Sequence, residues 1–191
     1  MKRRCLFLLV VTVLTIGLTL PSNAATYQID PAHTSVVFKI KHFDIGYVYG
    51  MFLGKSGEIT YDPETPDKTY IQLNIETESI FTNVRKRDDH LRSGDFFNAK
   101  QYPKITFKST DVDVLSDTRL RVTGDLTMHG VTKSITTTVN LTGKGNGPQG
   151  NFRRGFHTVF TIDRTNFGID YMADTLSHEV KVIFSGEVIR Q

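Results

Sequence analysis

From Arg119 to Met128 the chain alternates without a break: Leu120, Val122, Gly124, Leu126 and Met128 share one face, and Arg119, Arg121, Thr123, Asp125 and Thr127 share the other. A period of two over ten residues describes a strand with one dry and one wet face, because a helix would scatter the same residues around its axis. The pattern recurs along the chain. Val36, Phe38, Ile40 and His42 oppose Val37, Lys39 and Lys41, while Ile71, Leu73 and Ile75 align between Tyr70 and Thr77. Ile105 and Phe107 lead to Val112 and Val114, and Ile135 to Leu141 resumes the alternation after a break at His129-Gly130. Phe156, Thr158, Phe160 and Ile162 form one later face, and Val180, Val182, Phe184, Gly186 and Val188 form the last. Shorter extended runs are read at Tyr47–Leu53 and Glu58–Tyr61, with turns near Gly54–Gly57, at Asp62-Pro63 and at Ser116-Asp117.

No stretch has strand–helix–strand spacing, so the expectation is an all-β antiparallel fold, either a closed barrel or a sandwich. Several runs exceed the usual length of about 5–6 residues, and long hairpin-linked strands can close into a barrel of about eight strands whose interior takes side chains or one ligand. Thirteen Phe and no Trp suit that interior, since phenyl rings bring no donor that must be satisfied. The barrel is therefore preferred.

One segment resists the alternation. Thr82 to Asp95 reads as a short helical excursion, with Thr82 or Asn83 as its cap and with Val84 and Leu91 seven residues apart on one face. After Ser93-Gly94-Asp95 two large rings, Phe96 and Phe97, stand side by side, and at least one must plug a core or line a cavity. Tyr102-Pro103 restarts extended structure. Between Arg164 and His178 the chain is irregular again, with Phe167, Ile169, Tyr171 and Met172 as plugs.

The amino terminus has the layout of a secretory leader: Met1-Lys-Arg-Arg, an apolar run from Cys5 to Leu20, then Pro21-Ser-Asn-Ala-Ala25. The run falls short of the roughly 20 apolar residues of a spanning helix, so cleavage after Ala24 or Ala25 is expected, leaving residues 25–191 as one exported domain in the periplasm. The lone cysteine, Cys5, would leave with the leader, and a domain without disulfides must be held by its core. Lys2, Arg3 and Arg4 would leave too, so the remaining chain balances 20 basic residues against 20 acidic ones. That balance removes the net-charge argument for a nucleic-acid partner and for an anionic-membrane partner alike, and neither is expected.

Gly143 to Gly150 looks like a phosphate-binding glycine loop, but a strand and not a helix follows, so it is read as a hairpin loop. None of the histidines His33, His42, His90, His129, His157 and His178 stands in a metal-ligand spacing, and no metal or cofactor is expected. Asp88, Asp89 and His90 resemble an acid–base cluster, yet neighbours on a helix point in different directions, so no catalytic residue is expected. Arg85, Arg87, Arg92, Asp88 and Asp95 are read as ion pairs tying the helical segment to the barrel wall. Some of these arginines, or a histidine, remain candidates for a ligand headgroup.

Several blocks resemble one known family in order and spacing. These are Asp30-Pro-Ala-His-Thr-Ser-Val-Val-Phe38, Arg87-Asp-Asp-His-Leu-Arg-Ser-Gly-Asp-Phe-Phe97, Tyr102-Pro-Lys-Ile-Thr-Phe-Lys-Ser109, Gly124-Asp-Leu-Thr-Met-His-Gly-Val-Thr132 and Asn166-Phe-Gly-Ile169. The chain is similar to the YceI-like family of exported polyisoprenoid-binding proteins across its whole length after the leader. The resemblance implies a lipocalin-like barrel whose tunnel holds a long polyisoprenoid, such as an isoprenoid quinone or a precursor, loaded through transient contact with a membrane or a membrane protein. On that expectation the tunnel is lined by Val36, Phe38, Ile40, Leu73, Ile75, Phe96, Phe97, Phe107, Leu126, Phe160, Val182 and Phe184. His42, Arg85, His90 and Arg92 are the candidate headgroup contacts. Two other classes stay open, an enzyme acting on a lipid or quinone and a ligand-free structural or stress-related barrel; the oligomeric state, a dimer included, is not named by the residues.

Overall fold

The alternating runs all become strands. A computed structural model describes residues 24–191; the leader expectation for residues 1–23 lies outside them. The strands are β1 (Ala25–Ile29), β2 (Ser35–His42), β3 (Gly46–Phe52), β4 (Lys55–Tyr61), β5 (Tyr70–Glu76) and β6 (Ile80–Phe81). After helix α1 (Arg85–Arg92) come β7 (Lys104–Ser116), β8 (Arg119–Met128), β9 (Val131–Asn146), β10 (Phe152–Asp163) and β11 (Leu176–Arg190).

Every pairing is antiparallel, and the ring closes through eight strands in the order β1-β4-β5-β7-β8-β9-β10-β11, with β11 returning to β1. β11 serves two partners along its length. Its first part pairs with β2, from Leu176 opposite His42 to Ser185 opposite Ser35, and its last part pairs with β1, from Val188 opposite Ile29 to Arg190 opposite Tyr27. β1 and β2 thus lie end to end along it. β3 and β4 repeat the arrangement against them, and β5 and β6 against those, so that β2, β3 and β6 prolong the wall at one end.

At that same end the wall splits. β9 and β10 pair only as far as Val139 opposite Thr158, and the remainder of β10 runs on without β9. The segment after β10 fills the gap: a 3-10 turn at Arg164–Phe167 ends on Gly168 in the left-handed region (φ 73°), and buried Phe167 and Ile169 enter the core. His129 Nδ1 donates to the Phe167 carbonyl at 3.1 Å from the tight turn His129-Gly130, where both residues have positive φ. A Cβ on Gly130 would run into the Tyr102 ring, which itself stacks edge-on against His129. These contacts account for the spacing of Tyr102-Pro103, His129-Gly130 and Phe167-Gly168.

Helix α1 lies over this end. The expected caps are corrected: Val84 is the residue before the helix and makes no side-chain cap, Asn83 sits at φ 63°, and Val84 is exposed rather than sharing a buried face with Leu91. Thr82 is bound in the opposite sense. Its amide and hydroxyl both donate to Asp88 Oδ1, at 2.8 and 2.5 Å, so a buried carboxylate inside the helix receives the chain that enters it. Two arginines then tie α1 to β6, chiefly through backbone carbonyls rather than the expected ion pairs: Arg87 donates to Thr82 O, and Arg92 to Glu78 O and Ile80 O, each at 2.8 Å.

Other boundaries move by a few residues. β1 was not anticipated, Gly57 lies inside β4 so that the turn narrows to Leu53-Gly54, and Gly143 and Gly145 belong to β9, leaving a shorter loop. Tyr171 and Met172 are exposed at the rim and do not plug the core as expected.

Candidate functional site

The inward faces of the strands do not meet. They enclose two cavities of about 150 and 260 Å³ whose walls share Val36, Ile75, Ile105, Leu126, Phe160 and Val182, so the two are stacked along one tunnel. This explains why Phe38, Leu73, Phe107, Val182 and Phe184 face inward yet stay half-exposed. The surface they leave uncovered looks into the hollow. In a filled barrel the same residues would be packed to near-crystalline density.

The lower cavity is the more apolar of the two. Its wall is almost entirely aliphatic and aromatic, including Leu73, Phe107, Val122, Val139, Phe156 and Phe184, and none of its lining residues is exposed. Its floor is closed by Arg154, whose guanidinium lies 4.4 Å from the Tyr61 ring centre and 5.8 Å from that of Tyr27, and whose Nε donates to Tyr27 Oη at 3.1 Å. The charge is held by ring faces there, with no carboxylate partner among the described residues.

The upper cavity is different. It is lined by Phe38, Ile40, Phe52, Phe96 and Phe97, but also by His42, His90, Arg87 and Arg164, and its exposed lining residues are His42, His90 and Met172. The opening therefore lies between the β2 end, helix α1 and the turn at Met172. Phe97 meets Phe52 edge-on at 5.6 Å, and Phe96 meets Tyr171 and His90 at 5.2 and 5.0 Å, so the two adjacent rings are divided between the interior wall and the rim.

All twelve apolar residues expected to face a tunnel lie on the lining of one cavity or both. Of the four headgroup candidates, His42 and His90 reach the upper cavity. Arg85 and Arg92 do not: the Arg85 side chain is 95% exposed, and Arg92 is committed to the carbonyls of Glu78 and Ile80. Arg87, read from the sequence chiefly as an ion-pair residue, and Arg164, which no sequence pattern singles out, line the cavity as well. Arg164 is 4% exposed and donates to the carbonyls of Ile169, Tyr171, Leu176 and Ser177. Burial draws its guanidinium below the usual arginine range, with Asp163 and Asp170 acting the other way. The four carbonyls orient it, and no carboxylate lies within ion-pair distance of it among the described residues.

The residues that resembled an acid–base cluster go to separate partners. Asp88 holds Thr82, Asp89 pairs with Arg92 at 3.1 Å, and His90 meets Asp95 at 2.8 Å. Far from the mouth, Asp30, His33 and Glu187 bring ligand atoms within 4.8 Å of one another. Arg153 already occupies that cluster, with Nη1 at 2.5 Å from Asp30 and 2.8 Å from Glu187, and supplies the positive charge a cation would bring.

Known proteins share this architecture. A family model described as a YceI-like domain matches residues 27–188. A UPF0312 protein of Pseudomonas paraeruginosa is 41% identical over 170 residues, 88% of each chain. The crystal structure of a Campylobacter jejuni YceI protein superposes with a TM-score of 0.69 at 30% identity, covering 80% of this chain and 91% of that one. A polyisoprenoid binding domain from Saccharophagus degradans, 18% identical, superposes with a TM-score of 0.68 over 88% of this chain and all of that one.

Proposed function

The chain belongs to the YceI-like family, and from that premise we propose that it holds one long polyisoprenoid, an isoprenoid quinone or a precursor, in its barrel for carriage or storage in the periplasm. The observation that carries the reading is the pair of apolar cavities with a shared wall, wholly apolar in exposed lining below and edged with histidine and arginine above. A chain of repeating branched apolar units suits such a space, since it needs contact along its length and no polar partner until its end. The Saccharophagus degradans domain, described as polyisoprenoid binding, supports the same ligand class.

The difference between the cavities orients the ligand. The tail occupies the more apolar lower cavity, and the head stays above, where the imidazoles of His42 and His90 and the positive charge of Arg87 and Arg164 line the wall. At about 0.3 kcal/mol per heavy atom, a C40-class tail would gain on the order of 12 kcal/mol, which makes free release into water slow. Loading and unloading then call for a membrane or a partner. Binding, not bond making, is the role: the one close set of carboxylates and histidine on α1 is spent on structure.

Extraction of the purified protein with organic solvent, followed by mass spectrometry, tests this. A copurified prenyl lipid is expected. Chemical conversion of an added prenyl quinone would replace binding by catalysis, and an empty extract from protein that also fails to take up prenyl quinone would favour a structural barrel.

A further inference from the structure

Among the described residues the most exposed large apolar side chain stands at the tip of the β2–β3 hairpin, beside the cavity mouth: Ile45 is 90% exposed. Phe43, in the same turn, is also exposed, and its amide is pinned to Thr175 O at 3.0 Å, against the loop that carries Met172. His42, stacked on Phe43 at 4.3 Å between ring centres, lines the upper cavity, as does Met172. The apolar tip and the mouth are thus one continuous surface. Below the tip, the outward face of β3 carries Tyr47 and Tyr49, both more than half exposed.

The turn itself is costly. Phe43 and Asp44 both sit in the left-handed region, at φ 52° and 56°, positions for which glycine and asparagine are the favoured residues. The Phe43 ring, packed on one side by His42, still leaves 44% of the residue exposed in that turn. At the tip itself the charge is balanced, since the exposed Asp44 carboxylate accepts from Lys41 Nζ at 2.8 Å; behind it, on the flank, the charge is basic. Lys39 and Lys181 stand directly opposite each other on β2 and β11, a pairing of like charges that destabilises a sheet. Lys39 reaches over the Tyr47 ring at 4.2 Å, and neither lysine has a carboxylate within ion-pair distance among the described residues.

We propose that the β2–β3 tip, with Phe43 and Ile45 leading and Tyr47, Lys39 and Lys181 behind, docks into the interface of a lipid bilayer bearing anionic headgroups, so that the cavity mouth opens toward the membrane. This rests on the reading of the upper cavity as the lipid's way in. A bilayer fits better than a second folded surface because the tip is convex, ends in side chains that gain by entering the acyl boundary, and is backed by tyrosine and lysine, the residues suited to the headgroup layer. Two unpaired lysines on the flank match anionic headgroups, and the attraction is screened by salt.

The protein has no tryptophan, so Ile45→Trp, made in the full chain, gives a single reporter at the tip. With vesicles of phosphatidylethanolamine and phosphatidylglycerol, its emission should shift to the blue and be quenched by lipids brominated in the acyl chain. In sedimentation with the same vesicles, Ile45→Asp should lower the bound fraction roughly tenfold or more, and Lys39→Glu with Lys181→Glu should remove the preference for the anionic lipid. Ile45 lies outside the cavity lining, so these variants should keep whatever prenyl lipid the parent carries. Emission unchanged by vesicles overturns the proposal, and so does a blue shift that appears with protein concentration alone, which would mean that a second copy covers the tip. Vesicle binding by protein that neither carries nor takes up a prenyl lipid would sink the carrier reading and leave the docking intact; a prenyl lipid in the extract with no vesicle response would do the reverse.

Discussion

Arg153 Nη1 sits 2.5 Å from Asp30 Oδ2, a contact across 123 residues that spans the point where β11 exchanges β2 for β1 as its partner. The chain must bend there, between Ile29 and Ser35, and Asp30 holds the bend from inside by accepting from the Ala32 amide at 3.0 Å and meeting His33 Nδ1 at 2.7 Å. Burial alone would raise the Asp30 pKa, but the hydrogen bonds from His33, Arg153 and Ala32 outweigh it and bring it from 3.8 to about 2. A carboxylate depressed in the folded state stabilises fully above its unfolded pKa and loses that contribution as pH falls through the folded one. The affected window lies between 3.8 and about 2. Asp30→Asn should therefore lose about 1–3 kcal/mol at neutral pH, read by urea unfolding, and should show a shallower fall of stability with acid across that window than the parent. An unchanged acid profile would mean that Asp30 is not the group that titrates.

The same bend depends on a glycine. A Cβ at Gly186 would meet Thr34 Oγ1 and Cα, the residue that bonds Glu187 across the bend. Gly186→Ala should cost about 1–3 kcal/mol by overpacking, seen as a lower thermal midpoint, although the site is far from the cavity mouth.

Where the cavities join, a larger side chain should separate ligand binding from stability. Val182→Trp places a bulky ring at the shared wall between upper and lower cavities. The expected outcome is a folded protein, with a midpoint equal to or above that of the parent, whose solvent extract contains little prenyl lipid. Full lipid content in a folded Val182→Trp protein would show that the ligand does not pass that point.

Phe96 and Phe97 test the wall under α1. Truncating a buried phenylalanine typically costs about 3–5 kcal/mol, so the double alanine variant needs a stability measurement beside the binding one. Both rings line the upper cavity, Phe97 against Phe52 in its wall and Phe96 nearer the rim against His90 and Tyr171. Phe97→Ala alone should speed exchange of a labelled prenyl quinone into acceptor vesicles more than Phe96→Ala does. Equal exchange in both, with both folded, would take α1 out of the ligand's path.

Export is tested separately. Amino-terminal sequencing of the protein from a periplasmic extract should find a start at Ala25 or Thr26, and recovery of Met1 in the membrane pellet would overturn both the cleavage and the balanced charge.

Much of this architecture was legible because period-two alternation reports both the strand and its inward face, and a barrel has only one inside. Val36, Phe38, Leu126 and Val182 could thus be assigned to the interior from spacing alone. β1 was not legible: Ala25-Thr-Tyr-Gln-Ile29 is five residues long, offers few alternations, and abuts the stretch whose sequence has the layout of a leader. The helix was found but its cap was misread, since Thr82 acts as a donor to Asp88, and six-residue reciprocity of that kind has no local pattern. Arg164 could not have been found by its neighbours in sequence. Its four carbonyl partners come from residues 169 to 177, and only the fold of that loop turns a charged residue after a strand into part of a cavity wall. Arg92 failed as a headgroup candidate for the mirror reason, because backbone carbonyls on β6 and just before it had first claim on it.

The ring is sealed by its first strand and its last. Gln191 N donates to Thr26 O at 2.9 Å, and β1 has β11 on one side and β4 on the other. Until residues 176–190 arrive, β1, β2 and β10 each lack a neighbour, and the molecule is an open sheet with bare edges and an unroofed greasy interior. Contacts of such long sequence separation form slowly, and exposed edges invite pairing between chains. A polypeptide that emerges amino end first must hold one edge of its opening strand bare until the last strand arrives, so the interval before closure is when this protein is most exposed to aggregation and most dependent on whatever chaperones attend it.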